Sequence, residues 1–281
     1  MRWRNYEPFS DRAEVHDTLR ARIRTGAHEA HPGEFDWMYF HRDPRYRTDF
    51  LIDDGALAIV SHNHKVIDAY GADVDDTIAL GAERFGGEAF SIAWLLSDRA
   101  GTEALSTSGF ALQTQPDPIF IRPAAGGVRG AVVPDGITLR HLRGEREADT
   151  RAAAARRAFK SDMEPDAHTE RYRQFMRSPA YDADRDIVAV TDDGRVAAFT
   201  VYWVDQELSL AQFEPVGTDP DFQRRGLARA LFAHVLTRLE AQGIEHARVM
   251  TNGDNDAAVA TYAACGFEIV DHLGWWKGSV R

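Results

Sequence analysis

The chain has 281 residues, a formal net charge of −11 at pH 7 and a single cysteine. One cysteine excludes an intramolecular disulfide and a thiolate metal cluster, and the negative charge argues against nucleic acid as a general partner. The sequence has no apolar run of membrane-spanning length and no signal segment at its start, so we expect a cytoplasmic protein of one large or two small domains without a membrane partner.

Three segments of the first half have recognisable patterns. Residues 51–60 predict a hairpin that turns at Asp53-Asp54-Gly55, residues 89–96 predict a buried strand, and residues 105–110 end in Gly-Phe. After them, the stretch from Pro123 to Gly136 is rich in glycine, proline and small side chains. This composition predicts a linker, which we place at residues 125–136.

The second half begins with similar patterns. Residues 137–143 alternate as in a strand, and residues 149–160 have the pattern of a helix. Two apolar runs at 186–190 and 196–204 flank Asp192-Asp193-Gly194-Arg195 and predict a hairpin. A further strand follows at residues 211–216.

The stretch Gln223-Arg224-Arg225-Gly226-Leu227-Ala228 lies where this strand gives way to a helix. Apolar residues recur every fourth position after Gly226, which predicts an amphipathic helix from that glycine: Leu227, Leu231, Val235, Leu239. Backbone N–H groups in the first turn of a helix have no internal acceptor, and glycine lets an anion approach them closely. Alone, a Q-x-x-G-x-A string is more typical of a surface turn than of a phosphate-binding loop.

A second motif follows this helix in the chain. Residues 246–251 predict a buried strand, Asn255 is suited to cap a short helix, and Gly266 is suited to end it in a left-handed conformation. Ala258 and Tyr262 share one face of that helix.

These two motifs together resemble the GNAT superfamily of acyl-CoA-dependent N-acyltransferases. The first motif matches at Gln223, Arg224, Arg225, Gly226 and Ala228, where the family often has glycine in place of Ala228. The second motif matches at Asn255, Ala258, Tyr262, Gly266 and Phe267. The resemblance covers roughly residues 137–281 and implies an α+β fold, with a mixed, mostly antiparallel sheet flanked by helices and a splayed central strand.

The hairpin, the buried strand and the Gly-Phe ending occur in the same order in both halves, which predicts a tandem repeat. The first half has no Q-x-x-G-x-A string, and Ser106 stands near the place of Tyr262. We therefore expect two tandem GNAT-like domains: a degenerate one at 1–124 that does not bind CoA, and a catalytic one at 137–281. The alternative is chance similarity within one unrelated α+β domain.

The resemblance implies acetyl-CoA as the cofactor, no metal, and direct acyl transfer without an acyl-enzyme. It implies that Tyr262 is the general acid and Glu214 the base. The alternative for Tyr262 is a tyrosine that only packs on the helix surface, and the alternative for Glu214 is an ordinary strand carboxylate paired with an arginine. A backbone N–H near Val216 is expected to face the thioester oxygen. The expected cofactor-binding residues are Val216, Thr218, Gln223, Arg224, Arg225, Gly226, Leu227, Ala228 and Asn255.

The acceptor site is less determined by the sequence. Asp162, Glu164 and Asp166 fall in a loop that lines the acceptor site in this family, where they either attract an ammonium group or form a solvated acidic loop. Histidines such as His41 and the pair at His62 and His64 lack a convincing ligand set for a metal. Cys265, just before Gly266, is expected to be a buried structural residue.

The function expected from the resemblance is therefore an N-acetyltransferase acting on a primary amine of a small molecule or peptide, with a homodimer as a possible assembly. A catalytically silent acyl-CoA-binding regulatory protein and an enzyme like mycothiol synthase, which also has a tandem architecture, are the alternatives.

Overall fold

Each half of the chain folds into the same succession of strands and helices. The computed structural model describes residues 1–26, 28 and 30–280. In the first half the elements are β1 (Arg4–Asn5), α1 (Arg12–Arg24), α2 (Pro32–Phe40), β2 (Thr48–Asp53), β3 (Ala56–Ser61), β4 (Val66–Tyr70), α3 (Val74–Phe85), β5 (Phe90–Leu95), α4 (Arg99–Thr107), β6 (Ala111–Leu112) and β7 (Asp117–Pro123).

The second half repeats this order apart from the two-residue strand β6. Its elements are β8 (Ile137–His141), α5 (Ala148–Ala158), α6 (Pro165–Met176), β9 (Asp186–Thr191), β10 (Val196–Asp205), β11 (Leu210–Thr218), α7 (Leu227–Ala241), β12 (His246–Met250), α8 (Asp256–Ala264) and β13 (Glu268–Gly278). Both predicted hairpins are present as β2–β3 and β9–β10. The α+β class and the tandem repeat are thus confirmed.

The two halves exchange one strand each within a single sheet. β13 pairs with β5 of the first half, β7 pairs with β12 of the second half, and β7 and β13 pair with each other between them. The order of strands is β1-β2-β3-β4-β5-β13-β7-β12-β11-β10-β9-β8, with β6 beside β13. If each strand is replaced by its counterpart in the other half, the result is the same order read from the opposite end. The predicted division at residues 125–136 follows the repeat in the chain, whereas the hydrogen-bonded sheet continues across it.

Helices cover both faces of the sheet in each half. In the second half α7 and α8 pack on one face through residues such as Leu231 and Tyr262, and α5 and α6 pack on the other through residues such as Ala152 and Phe175. The first half has the same two layers, with α3 and α4 on one face and α1 and α2 on the other. Strands buried on both faces read as continuous apolar runs, which explains why β3 and β9 do not alternate.

The central parallel strands diverge in both halves. β11 and β12 pair only over Leu210–Gln212 and His246–Arg248, and β4 and β5 pair only over Val66–Asp68 and Ser91–Ala93. The sequence predicted a splayed strand in the second half, and the structure has one in the first half as well. Backbone groups beyond each paired region are open to a neighbour other than the adjacent strand.

Candidate active site

The loop from Gln223 to Gly226 forms an exposed turn that ends at the first residue of α7. Gly226 is the N-cap with a φ of 78°, and Arg224 has a φ of 62°. A Cβ on Gly226 would meet no heavy atom within 4 Å, so the space above the backbone is open. The Ala230 N–H donates to the Gly226 carbonyl at 3.0 Å, and the earlier amides of α7 have no intrahelical acceptor. This geometry suits an anion.

The side chains of this loop face different surroundings. Leu227 is buried in the core between α7 and the sheet, so only its backbone is available at the loop. Arg225 donates to the Asp221 carbonyl at 3.1 Å and lies over the Phe222 ring, with 5.1 Å from guanidinium carbon to ring centroid. Gln223 and Arg224 are exposed. The anion-facing surface of the loop is therefore made by backbone amides and exposed side chains.

A bulge in β11 lies where the central strands diverge. Thr200 pairs with Val216 and Tyr202 pairs with Phe213, so both Glu214 and Pro215 lie opposite one residue of β10. The Trp203 indole Nε1 donates to the Glu214 carbonyl at 2.8 Å and so satisfies a backbone group that the bulge frees. Bulges of this kind redirect side chains.

A cavity of about 430 Å³ opens at this bulge and contains several residues predicted for the site. Glu214 and Val216 line it from β11, and Asn255 and Tyr262 line it from α8. The Asn255 carbonyl oxygen Oδ1 accepts from the Ala258 N–H at 3.2 Å, which confirms Asn255 as the helix cap. Thr218, the last residue of β11, and the loop from Gln223 to Ala228 do not belong to the cavity lining.

Tyr262 is buried in an aromatic cluster beneath the cavity. Its ring meets Phe120 and Phe232 edge to face, with centroid distances of 5.5 and 5.6 Å. Phe120 belongs to β7, the strand contributed by the first half. Burial, and next the nearby Glu214 carboxylate, raise the pKa of the Tyr262 phenol well above its ordinary value. The phenol is therefore protonated at neutral pH and able to donate a proton.

Glu214 is half-buried, and its pKa is raised well above the ordinary value of a glutamate. Burial is the largest cause and the Glu34 carboxylate is the next, while Arg248 and the Gln212 side chain oppose the shift. Arg248 Nη1 donates to Glu34 Oε2 at 2.7 Å and to Gln212 Oε1 at 2.8 Å. The surroundings of Glu214 thus include a carboxylate from the first half of the chain.

The far end of the cavity is built by three helices from both halves. Trp37 stacks on His41 with 3.9 Å between ring centroids. Burial lowers the pKa of His41 well below its ordinary value, and it lowers that of His168 to about 4, with Arg171 as the next cause for both. Both imidazoles are therefore neutral at pH 7. The residues lining this end are Trp37, His41, Arg151, His168, Arg171 and Tyr172.

Residues 152–267 match the model of the acetyltransferase (GNAT) family. This segment is a GNAT domain. It contains the bulged strand, the loop at Gly226 and the helix that carries Tyr262. The family assignment of the second half, expected from its two motifs, is confirmed.

Several named relatives are similar to a part or to most of the chain. The mycothiol acetyltransferase of Actinosynnema mirum is 28% identical over 190 residues, which cover 67% of this chain and 61% of the relative. That of Saccharomonospora viridis is 25% identical over 268 residues, 85% of this chain and 84% of the relative. The ribosomal protein bS18 alanine N-acetyltransferase of Salmonella typhimurium is 40% identical over 78 residues, 28% of this chain and 51% of the relative.

Two solved structures share the fold of nearly the whole chain. A tandem GNAT protein from the clavulanic acid biosynthesis pathway has a TM-score of 0.68 at 13% identity and covers 99% of this chain and 98% of that one. A GCN5-related N-acetyltransferase from Sphaerobacter thermophilus has a TM-score of 0.65 at 16% identity and covers 100% and 96%. At these identities the likeness concerns the fold, which includes the tandem arrangement.

The structure places the remaining predicted features of the GNAT domain and its neighbour. Asp162, Glu164 and Asp166 are exposed and lie outside the cavity lining, and Asp162 pairs with Arg45 at 3.0 Å. Glu164 is the N-cap of α6 and Asp166 lies in its first turn, so the prediction that all three lie in one loop was wrong. Cys265 is buried, and burial raises the pKa of its thiol to about 11. Within residues 1–26, 28 and 30–280 no cluster of three or more histidine, cysteine or carboxylate side chains is arranged to hold a metal. No helix of these ranges is long and apolar enough to cross a membrane.

The first half differs at the position that corresponds to the tyrosine. Tyr262 lies four residues before Gly266, and Leu105 lies four residues before Gly109. Leu105 is fully buried, whereas Ser106, the residue that the sequence placed near this position, is exposed. The first half therefore has an apolar side chain where the GNAT domain has a phenol.

Sequence reasoning missed the helical end of the cavity. His168, Arg171 and Tyr172 recur at three- and four-residue spacing on α6, and Trp37 and His41 are four residues apart on α2. The available signal for this end of the site was the helical spacing of these polar side chains within otherwise amphipathic helices. Which of these faces meet in space depends on the packing of α2 against the second half, and no local pattern contains that information.

Proposed function

We propose that this chain is an N-acetyltransferase that transfers the acetyl group of acetyl-CoA directly to a primary amine of a small molecule or peptide. The observation that carries the proposal is that Glu214 and Tyr262 line one cavity at the point where β11 and β12 diverge. The reaction requires a base and an acid in one site. The Glu214 carboxylate, with its raised pKa, is suited to be the base, and the protonated Tyr262 phenol is suited to be the acid.

The cofactor part of the proposal rests on the loop at Gly226. The open space above Gly226 and the first-turn amides of α7 fit a CoA pyrophosphate. Backbone groups of β11 beyond Gln212, unpaired with β12, would hold the pantetheine arm. Bound acetyl-CoA supplies an acetyl group activated as a thioester.

The residues of the chain then have separate tasks. Glu214 takes the proton that the amine loses as its nitrogen bonds to the acetyl carbon, and its raised pKa makes it a stronger base than an ordinary carboxylate. A backbone N–H near Val216 stabilises the oxyanion, a contribution of roughly 3 kcal/mol for one preorganised donor. Tyr262 gives its proton to the sulfur as the carbon–sulfur bond breaks.

The proposal is tested by thiol release from acetyl-CoA with a broad panel of amines. We expect Tyr262→Phe to lower kcat by about 100-fold, as for loss of a general acid, with the affinity for CoA unchanged. Tyr46→Phe, a change at a partly exposed tyrosine outside the cavity, is the matched control and should leave kcat unchanged. An intact CoA affinity without thiol release from any amine would instead support a silent CoA-binding regulatory protein.

A second candidate is an activity like that of the mycothiol acetyltransferases. Similarity to the relative from Saccharomonospora viridis over 85% of the chain favours it. The amine panel should therefore include the acceptor of those relatives. Turnover of that acceptor well above all other amines would select this candidate.

A further inference from the structure

Several hydrogen-bond donors at the helical end of the cavity have no acceptor. Arg151 is fully buried on α5, and its Nε donates to Asp186 Oδ1 at 3.3 Å. Among the residues that the structure describes, neither Nη1 nor Nη2 of Arg151 has a partner. The guanidinium lies over the Phe199 ring at 3.6 Å, which fixes its plane. Arg151 thus lines the cavity with a buried guanidinium whose two Nη groups have no acceptor among the described residues.

His168 adds a second donor whose protonation follows from its neighbour. Arg171 Nη2 lies 3.3 Å from His168 Nε2, and because arginine can only donate, Nε2 is the accepting nitrogen. The single proton of the neutral imidazole is then on Nδ1. His168 Nδ1 is buried and has no partner within the described part of the chain. His168 therefore presents an N–H group that no residue of the described ranges accepts.

Two further polar groups at this end also lack a partner in the part of the chain that the structure describes. Arg171 Nε is buried without a partner in the described ranges, and its nearest carboxylate, Asp43, is 3.9 Å from Nη1. His41 Nε2 likewise lacks a partner among those residues. A buried polar group that lacks a hydrogen bond is destabilising, so several together at one end of a cavity indicate that a bound group completes them.

From this convergence of donors we propose that the helical end of the cavity binds a carboxylate of the acceptor, so that the acceptor is an amino acid-like molecule carrying both an amine and a carboxylate. The inference rests on the proposed acetyltransferase activity and specifies its substrate class. The planar edge of Arg151 matches the two oxygens of a carboxylate, and the N–H groups of His168 and Arg171 supply further donors. A cavity of about 430 Å³ has the size of a small-molecule site.

The test compares amines that differ only in this group. A panel of α-amino and ω-amino carboxylates, each beside its own carboxamide, is assayed for acetylation and for binding by calorimetry to the CoA-saturated protein. For at least one pair we expect the carboxylate to be preferred by about 10- to 100-fold in kcat/KM and in affinity, as for loss of a charge-assisted hydrogen bond. Equal use of acids and amides throughout, as expected if water fills the site, would overturn the inference.

Variants of the cavity residues show which side chains produce the preference for a carboxylate. Arg171→Gln should remove the preference for the carboxylate, so that each acid and its carboxamide are acetylated with similar kcat/KM. Arg173→Gln is the matched control, since Arg173 lies two residues away on α6 and pairs with Asp149 at 2.6 Å outside the cavity. A preference that survives Arg171→Gln as fully as Arg173→Gln would contradict the assignment. Arg151→Lys, which keeps the charge and loses the planar edge, is expected to reduce the preference as well.

The outcomes separate this inference from the proposed function. Acetylation of amides and acids alike leaves the acetyltransferase activity standing and overturns the carboxylate site. Failure of every amine to be acetylated, with acetyl-CoA still bound, overturns the activity. In that case the calorimetric difference between acids and amides alone decides whether the carboxylate site exists.

Discussion

The Glu34 carboxylate of the first half lies 2.7 Å from the Arg248 guanidinium of the second half in a buried ion pair. The side chains are 6% and 4% exposed, so solvent screens this pair little. The same guanidinium contacts Gln212, and the Glu34 charge raises the pKa of Glu214. An element outside the GNAT domain thus contributes to the electrostatics of the candidate base.

Glu34→Gln is expected to shift the acidic limb of the pH profile of kcat/KM to lower pH. Glu214 must be ionised to accept a proton, and Glu34 raises its pKa, so removal of the Glu34 charge lowers that pKa. Glutamine keeps an oxygen to accept from the His31 N–H, a bond of 3.2 Å in the native protein. Glu245→Gln, at an exposed site, is the control and should leave the limb in place. If the acidic limb of the Glu34→Gln profile is unchanged or moves to higher pH, the Glu34 charge does not raise the pKa of Glu214.

Gly226→Ala is expected to weaken CoA binding by about 10-fold, because a side chain there disfavours the left-handed backbone that aims the loop amides. Gly243→Ala is a matched control at the other end of α7. The two glycines have φ values of 78° and 72°, and a Cβ on either would meet no atom within 4 Å. Both variants should lose similar stability, and calorimetry with CoA should show weakened binding in Gly226→Ala alone. Equal losses of affinity would mean that the loop has no special role.

The buried His31 is expected to make folding stability fall in mildly acidic solution. Its Nδ1 accepts from the Gly33 N–H at 3.0 Å, and its Nε2 lies 3.3 Å from the Leu210 carbonyl oxygen, which requires the neutral ring. Burial lowers the pKa of His31 to about 3. A depressed histidine pKa gives stability that is complete above the ordinary value near 6.5, and this stability is lost as the pH falls from there toward the folded-state pKa.

The measurement is urea unfolding of wild type and His31→Asn at pH 7.5 and pH 5. Asparagine can cap α2 but does not titrate, so we expect the drop in unfolding free energy between these pH values to be smaller in the variant by roughly 2 kcal/mol. His64→Asn, at an exposed histidine, should keep the wild-type drop. The same drop in all three proteins would show that His31 does not control this pH dependence.

Local sequence signals were sufficient to predict those parts of the site that are formed by a single short segment of the chain. Gly226 after a strand and before an apolar four-residue repeat predicted the start of α7, and Asn255 and Gly266 predicted the cap and the end of α8. These features depend on backbone conformation and on hydrogen bonds within a few residues. The hairpins at Gly55 and Gly194 were predictable for the same reason.

The sequence by itself therefore determined the repeated order of strands and helices and the motif residues of the GNAT domain. Only the tertiary structure decided that β7 and β13 change places, that Glu34 reaches Arg248, and that Arg151 and His168 converge on one cavity. The exchange is invisible in the sequence because no local pattern of β7 or β13 specifies which distant strand it pairs with. The convergence depends on how whole layers pack, and the periodicity of a helix fixes its buried face without fixing the surface that this face meets.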